Sequence, residues 1–453
     1  MSCCEPGAPL IPRSLRLWLA RRGRRVEALA SPGGFQDPVL LSRAGLYRHA
    51  VRRFRADPSA AHAFPGDHVR ALLGAGKPHA ALEAGRIAAA SSDPGLALAL
   101  AGVAPGLALD RYRGGDFALQ AGMKAASGDE AGALAAAAQA SSPMARLLEA
   151  SIQRGHPERA DAAWAAAFSA WDLTPPQRVE PDHSVTVLNA RAETAGDVSG
   201  DLVSVIMPSR NVASYIGAAV RSVLNQSWRN LELLVVNDAS TDDTAEAARA
   251  AGAGDARLEV IDRESRSGAY GARNAALARA RGRWVMIQDA DEWSHPQRIE
   301  RQIAAMRARG LIASSGLGIR VDAQGVLRAR GVHPLARWAP STLMFERAPV
   351  LERAGVFDRV LSGADSEFWW RLSLLFGPSR VAIVREPWIL GAWREDSLTV
   401  SGGSGFGREG YNLDRLRYWE AWTRWHVRHR RDPGALRVTG EDRPFPIPSA
   451  LVL

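Results

Sequence analysis

Val203-Ser204-Val205-Ile206-Met207-Pro208-Ser209-Arg210-Asn211 is an apolar, β-rich run that ends abruptly in polar residues. Without alternation, 203–207 reads as a strand buried on both faces. Residues 215–224 follow with helical spacing behind Ser214, a residue type suited to capping a helix start. The pattern then repeats: strand at 231–236, helix at 244–251, strand at 258–261, helix at 272–280 closed by Gly282, strand at 284–287. Strand, helix, strand at this rhythm predicts an α/β domain with a doubly wound, mostly parallel sheet covered by helices on both faces.

Upstream the text is different. Residues 36–171 are rich in Ala and Leu at helical spacing, which predicts an all-α domain. Gly76 and Ala81, Gly128 and Ala133, and Gly155 and Ala160 share one spacing between apolar runs. This resembles tetratricopeptide-like repeats, and an Ala-rich bundle with coincidental glycines fits as well. Pro175-Pro176 and Pro181-Asp182 mark a connector. The expected organisation is a tail (1–35), a helical domain (36–173), a linker (174–200), an α/β domain (201–400), a Gly-rich loop with a Trp/Arg helix (401–432) and a second tail (433–453).

A chain of 453 residues is long enough for more than one core, and 46% hydrophobic with 23% charged residues excludes a disordered chain. The net charge of +9 comes almost entirely from Arg, with Lys only at Lys77 and Lys124, and acidic residues are interleaved. No nucleic-acid partner is expected from it, whereas small phosphorylated ligands or an anionic membrane surface are. Cys3 and Cys4 are the only cysteines, so a disulfide framework or a cysteine metal cluster is excluded, and a cytoplasmic setting fits. The apolar stretch 96–109 holds Pro and Gly and is too short to span a bilayer, so the expectation is a soluble protein or a peripheral one at the inner face of the membrane.

In doubly wound sheets the ligand sits beyond the carboxyl ends of the strands. Polar residues fall there three times: Pro208-Ser209-Arg210-Asn211, Asn237-Asp238-Ala239-Ser240 and Gln288-Asp289-Ala290-Asp291-Glu292. In an extended segment Asp289 and Asp291 project to one side as hard oxygen ligands for Mg²⁺ or Mn²⁺, and such an ion neutralises a diphosphate leaving group. Alone, an Asp-X-Asp is as well read as a turn or a cap.

Residues 203 to about 300 resemble the family 2 glycosyltransferases, whose fold is of the GT-A type. The resemblance is carried by 203–211, 222–226, 234–244, Gly271-Ala272-Arg273-Asn274-Ala275 and 289–292. It implies that Pro208, Ser209 and Asn211 line a nucleotide pocket and that Asp238 bonds the base. It also implies Arg273 near phosphates or ribose, after a 268–271 loop, and Asp289 and Asp291 at sugar and metal. Asn237 and Glu292 stand where the family usually has Asp. Gly355-Val356-Phe357-Asp358 and 363–372 are similar to a second landmark of the family. Registering Arg371-Leu372 on it makes Asp365 the implied catalytic base, although Ala364 replaces the usual preceding Glu. A helix N-cap role for Asp365, or Glu367 as the base, are the alternatives.

Residues 393–399 and the Gly-rich run 401–407 resemble the tail of bacterial family 2 enzymes of surface-polysaccharide synthesis, and a Gly-rich run beside a site reads equally as a lid or a linker. Residues 411–431 form an expected helix with Trp419, Trp422 and Trp425 among arginines, either an interfacial membrane helix or one packing its Trp face on the catalytic domain. Trp369, Trp370 and Trp388 stack on sugar rings or fill the core. The implied function is an inverting hexosyl transfer from a nucleotide sugar, with a UDP-sugar as expected donor, to a saccharide or lipid-linked acceptor in cell-surface polysaccharide synthesis. A sugar-phosphate nucleotidyltransferase needs a Gly-rich basic loop after the first strand, and 208–213 is not one. A non-catalytic nucleotide-binding scaffold is disfavoured by the joint retention of Asp238, Asp289, Asp291 and Asp365.

Overall fold

A computed structural model describes residues 14, 16, 17, 20, 25–88, 93–112, 114–193, 196–329, 331–394, 406–407, 410–440 and 443–452. Of the Gly-rich run 401–407, the expected lid or linker, residues 401–405 lie outside them. The helical half comprises α1 (Arg25–Ala30), α2 (Pro38–Arg43), α3 (Tyr47–Ala56), α4 (Pro58–Ala63), α5 (Pro65–Gly74), α6 (Pro78–Ile87), α7 (Pro94–Leu100), α8 (Pro105–Arg111), α9 (Phe117–Ala126), α10 (Glu130–Ala138), α11 (Pro143–Ile152) and α12 (Pro157–Ser169). Most begin with Pro at the first turn, where its missing N–H leaves no partner wanting. Gly76 and Gly128 turn the chain between helices with φ of 72° and 86°, while Gly155 takes no such conformation. Ala81, Ala133 and Ala160 are all buried, as close helix crossings require.

A hairpin of β1 (Gln177–Arg178) and β2 (Ala190–Arg191) leads into the α/β half. There follow β3 (Val203–Ser209), α13 (Ala213–Leu224), β4 (Leu231–Asn237), α14 (Thr244–Ala251), β5 (Leu258–Asp262), α15 (Gly268–Arg279), β6 (Trp284–Ile287), β7 (Glu292–Ser294), α16 (Arg298–Arg309), β8 (Ala313–Val321), β9 (Leu327–Arg328), β10 (Ala336–Glu346), α17 (Arg347–Arg353), α18 (Ala364–Phe376), β11 (Val381–Ala392) and α19 (Leu413–His429). The sheet order is β5-β4-β3-β6-β10-β8-β11-β7. The first four strands are mutually parallel, β10 runs antiparallel to β6 and β8, and β8 and β11 are parallel. The architecture is thus the expected GT-A-like mixed sheet with flanking helices behind a helical region.

Two helix starts differ from expectation. Ser214 does not cap α13; Val212 N and Ala213 N donate instead to Thr244 Oγ1 (2.8 Å) and Asp242 (3.1 Å) from the neighbouring loop. Residues 268–271 are no loop but the first turn of α15, because the carboxylate of Asp238 caps it from outside.

Some residues of the segments expected as linker and tails are buried. Val185 and Val187 join Trp164, Phe168, Ile319 and Trp388 in one buried cluster that binds the two halves. Leu29 of α1 is fully buried, and Leu436, Phe445 and Leu451 enter the core of the α/β half. Trp388 is fully buried under Gly316, where a Cβ would fall 1.8 Å from its Cδ1; it fills the core and stacks on no sugar.

His295 fastens the same junction. Its Nε2 bonds Thr174 O at 2.8 Å and its ring stacks on Phe168 at 5.9 Å. Burial pulls its pKa down to about 4. A histidine that binds its proton more weakly folded than unfolded leaves stability intact above pH ~6.5, its unfolded value, and removes it as pH falls toward 4. The expected loss is about 3 kcal/mol by pH 4, read as a fall in Tm that is shallower in His295→Gln.

Candidate active site

The carboxyl ends of β3, β4 and β6 converge with the start of α18, held by side chains that reach between loops. Asp238 is 2% exposed. Its Oδ1 accepts from Ser267 N and Oγ and its Oδ2 from Gly268 N, all at 2.7 Å. The residue read as a base contact thus anchors the N-terminus of α15, where a carboxylate meets the positive end of the helix dipole. Pro208 and Ser209 are buried within β3, and the Ser209 hydroxyl donates to Val236 O at 3.1 Å. Of the three expected pocket residues only Asn211 is exposed, in a left-handed turn (φ 49°) with its side-chain oxygen on Thr241 N. Arg210 ties the β3 and β4 ends through Asp238 O at 2.7 Å. Asn237 donates its amide to Asp262 at 2.9 Å, a bond that an Asp at 237 would replace with repulsion.

Arg273 projects from α15 and donates to Asp289 Oδ1 at 2.6 Å. Burial disfavours its charge, but Asp289, the Tyr270 ring oxygen and Asp365 more than offset this and raise its pKa. The next residue, Asn274, clamps the backbone of Phe357 through both amide atoms (2.8 and 3.0 Å), joining the motif at 271–275 to that at 355–358.

Asp289 and Asp291 do not lie on an extended segment. Glu292 N donates to Asp289 O at 3.3 Å, closing a turn, because the chain must leave β6 and reverse into β7 against β11. Their carboxylates are 33% and 19% exposed, so both still open on solvent. Burial, aided by the charge of Asp289, pushes the pKa of Asp291 up, and its nearest cation is Arg394 at 3.8 Å. Two hard oxygen donors open on solvent, one paired with Arg273 and the other with its cation only at 3.8 Å, suit a divalent cation. Among the described residues no group of three or more His, Cys, Asp or Glu forms a metal cage, so ligand oxygens would have to complete the shell. Glu292 turns the other way: fully buried, it accepts from Arg320 and Ser341, both at 2.9 Å. Behind the turn, buried Arg298 grips Gln288 Oε1 at 2.7 Å and Ile287 O at 2.8 Å.

Asp365 stands in the first turn of α18. The N-cap is Gly363, at φ 95°, so Asp365 is not the cap; its Oδ1 accepts from the adjacent Ser366 N. Gly363 N donates to Tyr270 OH at 3.1 Å, which links this turn to α15 one turn from Arg273. Glu367 faces inward, fully buried, with Arg371 at 3.0 and 2.9 Å on its two oxygens and His426 of α19 at 3.0 Å. Asp358 accepts from Tyr418 OH at 3.0 Å in the same layer. Trp422 and Trp425 are buried and Trp419 Nε1 donates to Ala44 O, so the Trp face of α19 packs inside the protein and not in a membrane. Among the described residues no helix is long and apolar enough to cross a membrane. Reading the sequence did not find Tyr270, Arg298 or Arg320, since their partners lie far off in the chain and no local signal marks them.

Residues 204–353 match the model of Glycosyl transferase family 2. The putative teichuronic acid biosynthesis glycosyltransferase TuaG of Bacillus subtilis is 38% identical over 148 residues, 32% of this chain and 56% of that protein. The UDP-Glc:alpha-D-GlcNAc-diphosphoundecaprenol beta-1,3-glucosyltransferase WfgD of Escherichia coli is 41% identical over 105 residues, 23% of this chain and 41% of that one. The chain spans about half the length of the curated relatives it matches. Among solved structures, S. aureus TarS 1-349 in complex with UDP-GlcNAc aligns at TM-score 0.36 with 21% identity, over 43% of this chain and 59% of that one, too distant a likeness to carry an argument. The motifs, the sheet and this match coincide over residues 204–353, the part of the chain that is similar to Glycosyl transferase family 2.

Proposed function

We propose that the protein is an inverting glycosyltransferase that moves a sugar from a nucleotide-sugar donor, a UDP-sugar, to a saccharide or lipid-linked acceptor in the synthesis of a surface polysaccharide. The observation that carries the reading is the approach of Asp289, Arg273 and Asp365 through Tyr270 at the carboxyl ends of parallel strands. Relatives named for teichuronic acid synthesis and for a diphosphoundecaprenol acceptor support the class of product.

In this reading Asn211 and the strand ends flank the nucleotide, and buried Pro208 and Ser209 form the floor beneath it. Asp238 fixes α15 so that Arg273 meets the phosphates. Asp289 and Asp291 would hold Mg²⁺ or Mn²⁺, which when bound neutralises the departing diphosphate. Asp365 accepts the proton of the acceptor hydroxyl as that oxygen attacks the anomeric carbon opposite the diphosphate, forming the new glycosidic bond as the old one breaks.

Thermal-shift screening of nucleoside diphosphates and their sugars, with and without Mn²⁺, is the test. A uridine ligand should stabilise the protein selectively and more strongly with the ion. Asp291→Ala should weaken metal-dependent donor binding by about tenfold or more in calorimetry, in line with loss of a charge-assisted contact. Unchanged affinity removes Asp291 from the metal site, and no stabilisation by any nucleotide overturns the function.

A further inference from the structure

A few side chains join α3 and α19, in the same residue order along both helices. Trp419 bonds Ala44 O, Arg48 and His49 pair with Glu420 at 3.4 and 3.2 Å, and Arg424 bonds His49. Val51 and Phe54 share a buried cluster with Val427. The same order carries Arg52, Arg53 and Arg55, one turn on from Arg48 and His49, and Arg428, one turn on from Arg424, to the same end of the two helices. All four are exposed, and none has an acidic partner among the described residues. Apolar packing underneath holds these like charges together, although they repel one another. An anionic surface laid across them would turn that repulsion into attraction.

We propose that this face of α3 and α19 docks the protein on a bilayer bearing anionic headgroups, by charge alone and without insertion of aromatic side chains. Trp422 and Trp425 point inward and Trp419 is engaged with Ala44, so the face offers no stacking platform of the kind single-stranded nucleic acid uses. The geometry also suits a lipid-linked acceptor, and in this respect the inference rests on the function proposed above. Arg415, whose charge reaches Tyr270, lies on the same helix as Arg428, about 20 Å along its axis. One rigid helix thus spans from the sugar-transfer end to the membrane-facing end.

Co-sedimentation of the full chain, without donor or acceptor, tests it. The protein should bind vesicles containing phosphatidylglycerol, ignore pure phosphatidylcholine vesicles, and dissociate as salt is raised. With each arginine contributing about fivefold, the triple variant R52E/R53E/R428E should bind at least about a hundredfold more weakly. A control reversing three exposed arginines elsewhere, R159E/R309E/R385E, should bind nearly as wild type. Both variants should keep the wild-type Tm and any transfer to a soluble saccharide acceptor. Equal binding to both vesicle types, an equal loss in the control, or retention of duplex DNA in preference to vesicles would each overturn the proposal. Because the readout needs no turnover, a chain that binds vesicles yet transfers no sugar would count against the enzymatic reading and not against this surface.

Discussion

Asp365→Asn is expected to lower kcat of sugar transfer by about a thousandfold, the scale of removing a general base, while donor affinity changes by less than about twofold. The substitution keeps the size of the side chain and an oxygen to accept from Ser366 N, so α18 should start unchanged. What it removes is the negative charge that also helps to raise the pKa of Arg273. The proton acceptor then disappears while the contacts to the donor stay. Calorimetry for the nucleotide and single-turnover kinetics for transfer separate the two effects. Turnover near the wild-type rate would take Asp365 out of the mechanism.

Glu367→Ala should behave in the opposite way, as a folding defect with little chemical consequence. Although burial pushes the Glu367 carboxyl upward, Arg371 and His426 outweigh it and hold its pKa below the ordinary value. Arg371 also donates to Ala354 O and Val356 O, so the pair pins the loop at 355–358 to α18 and α19. Removing the carboxylate leaves a fully buried guanidinium without its counter-charge, at a cost of about 3–5 kcal/mol and roughly 10 °C in Tm. At temperatures where the variant remains folded, kcat should stay within about threefold of wild type, far from a general-base effect. A thousandfold loss in a variant of normal Tm would instead make Glu367 the base.

These two acids, two residues apart, show how far the sequence reaches. Both sit at the head of one helix, and the spacing alone left either as a base. The inward face of α18 decided between their environments, because the third residue of a helix turn points where the first does not. Asn274 is a second case. Its motif was legible, but its grip on Phe357 spans a separation no window of sequence contains.

Local periodicity and turn chemistry determined the strands at 203–207 and 231–236, the alternation with helices, the family resemblance and the position of the acidic residues at strand ends. These depend on contacts a few residues apart, which any reader of the chain can see. Only the tertiary structure decided that Asp238 caps α15, that Glu292 turns to Arg320 while Asp289 meets Arg273, that Leu29, Val185, Val187 and Phe445 from the supposed linker and tails enter the core, and that the tryptophans of α19 face inward. A buried charge must find its partner wherever the fold brings one, and that pairing follows from packing across the whole chain.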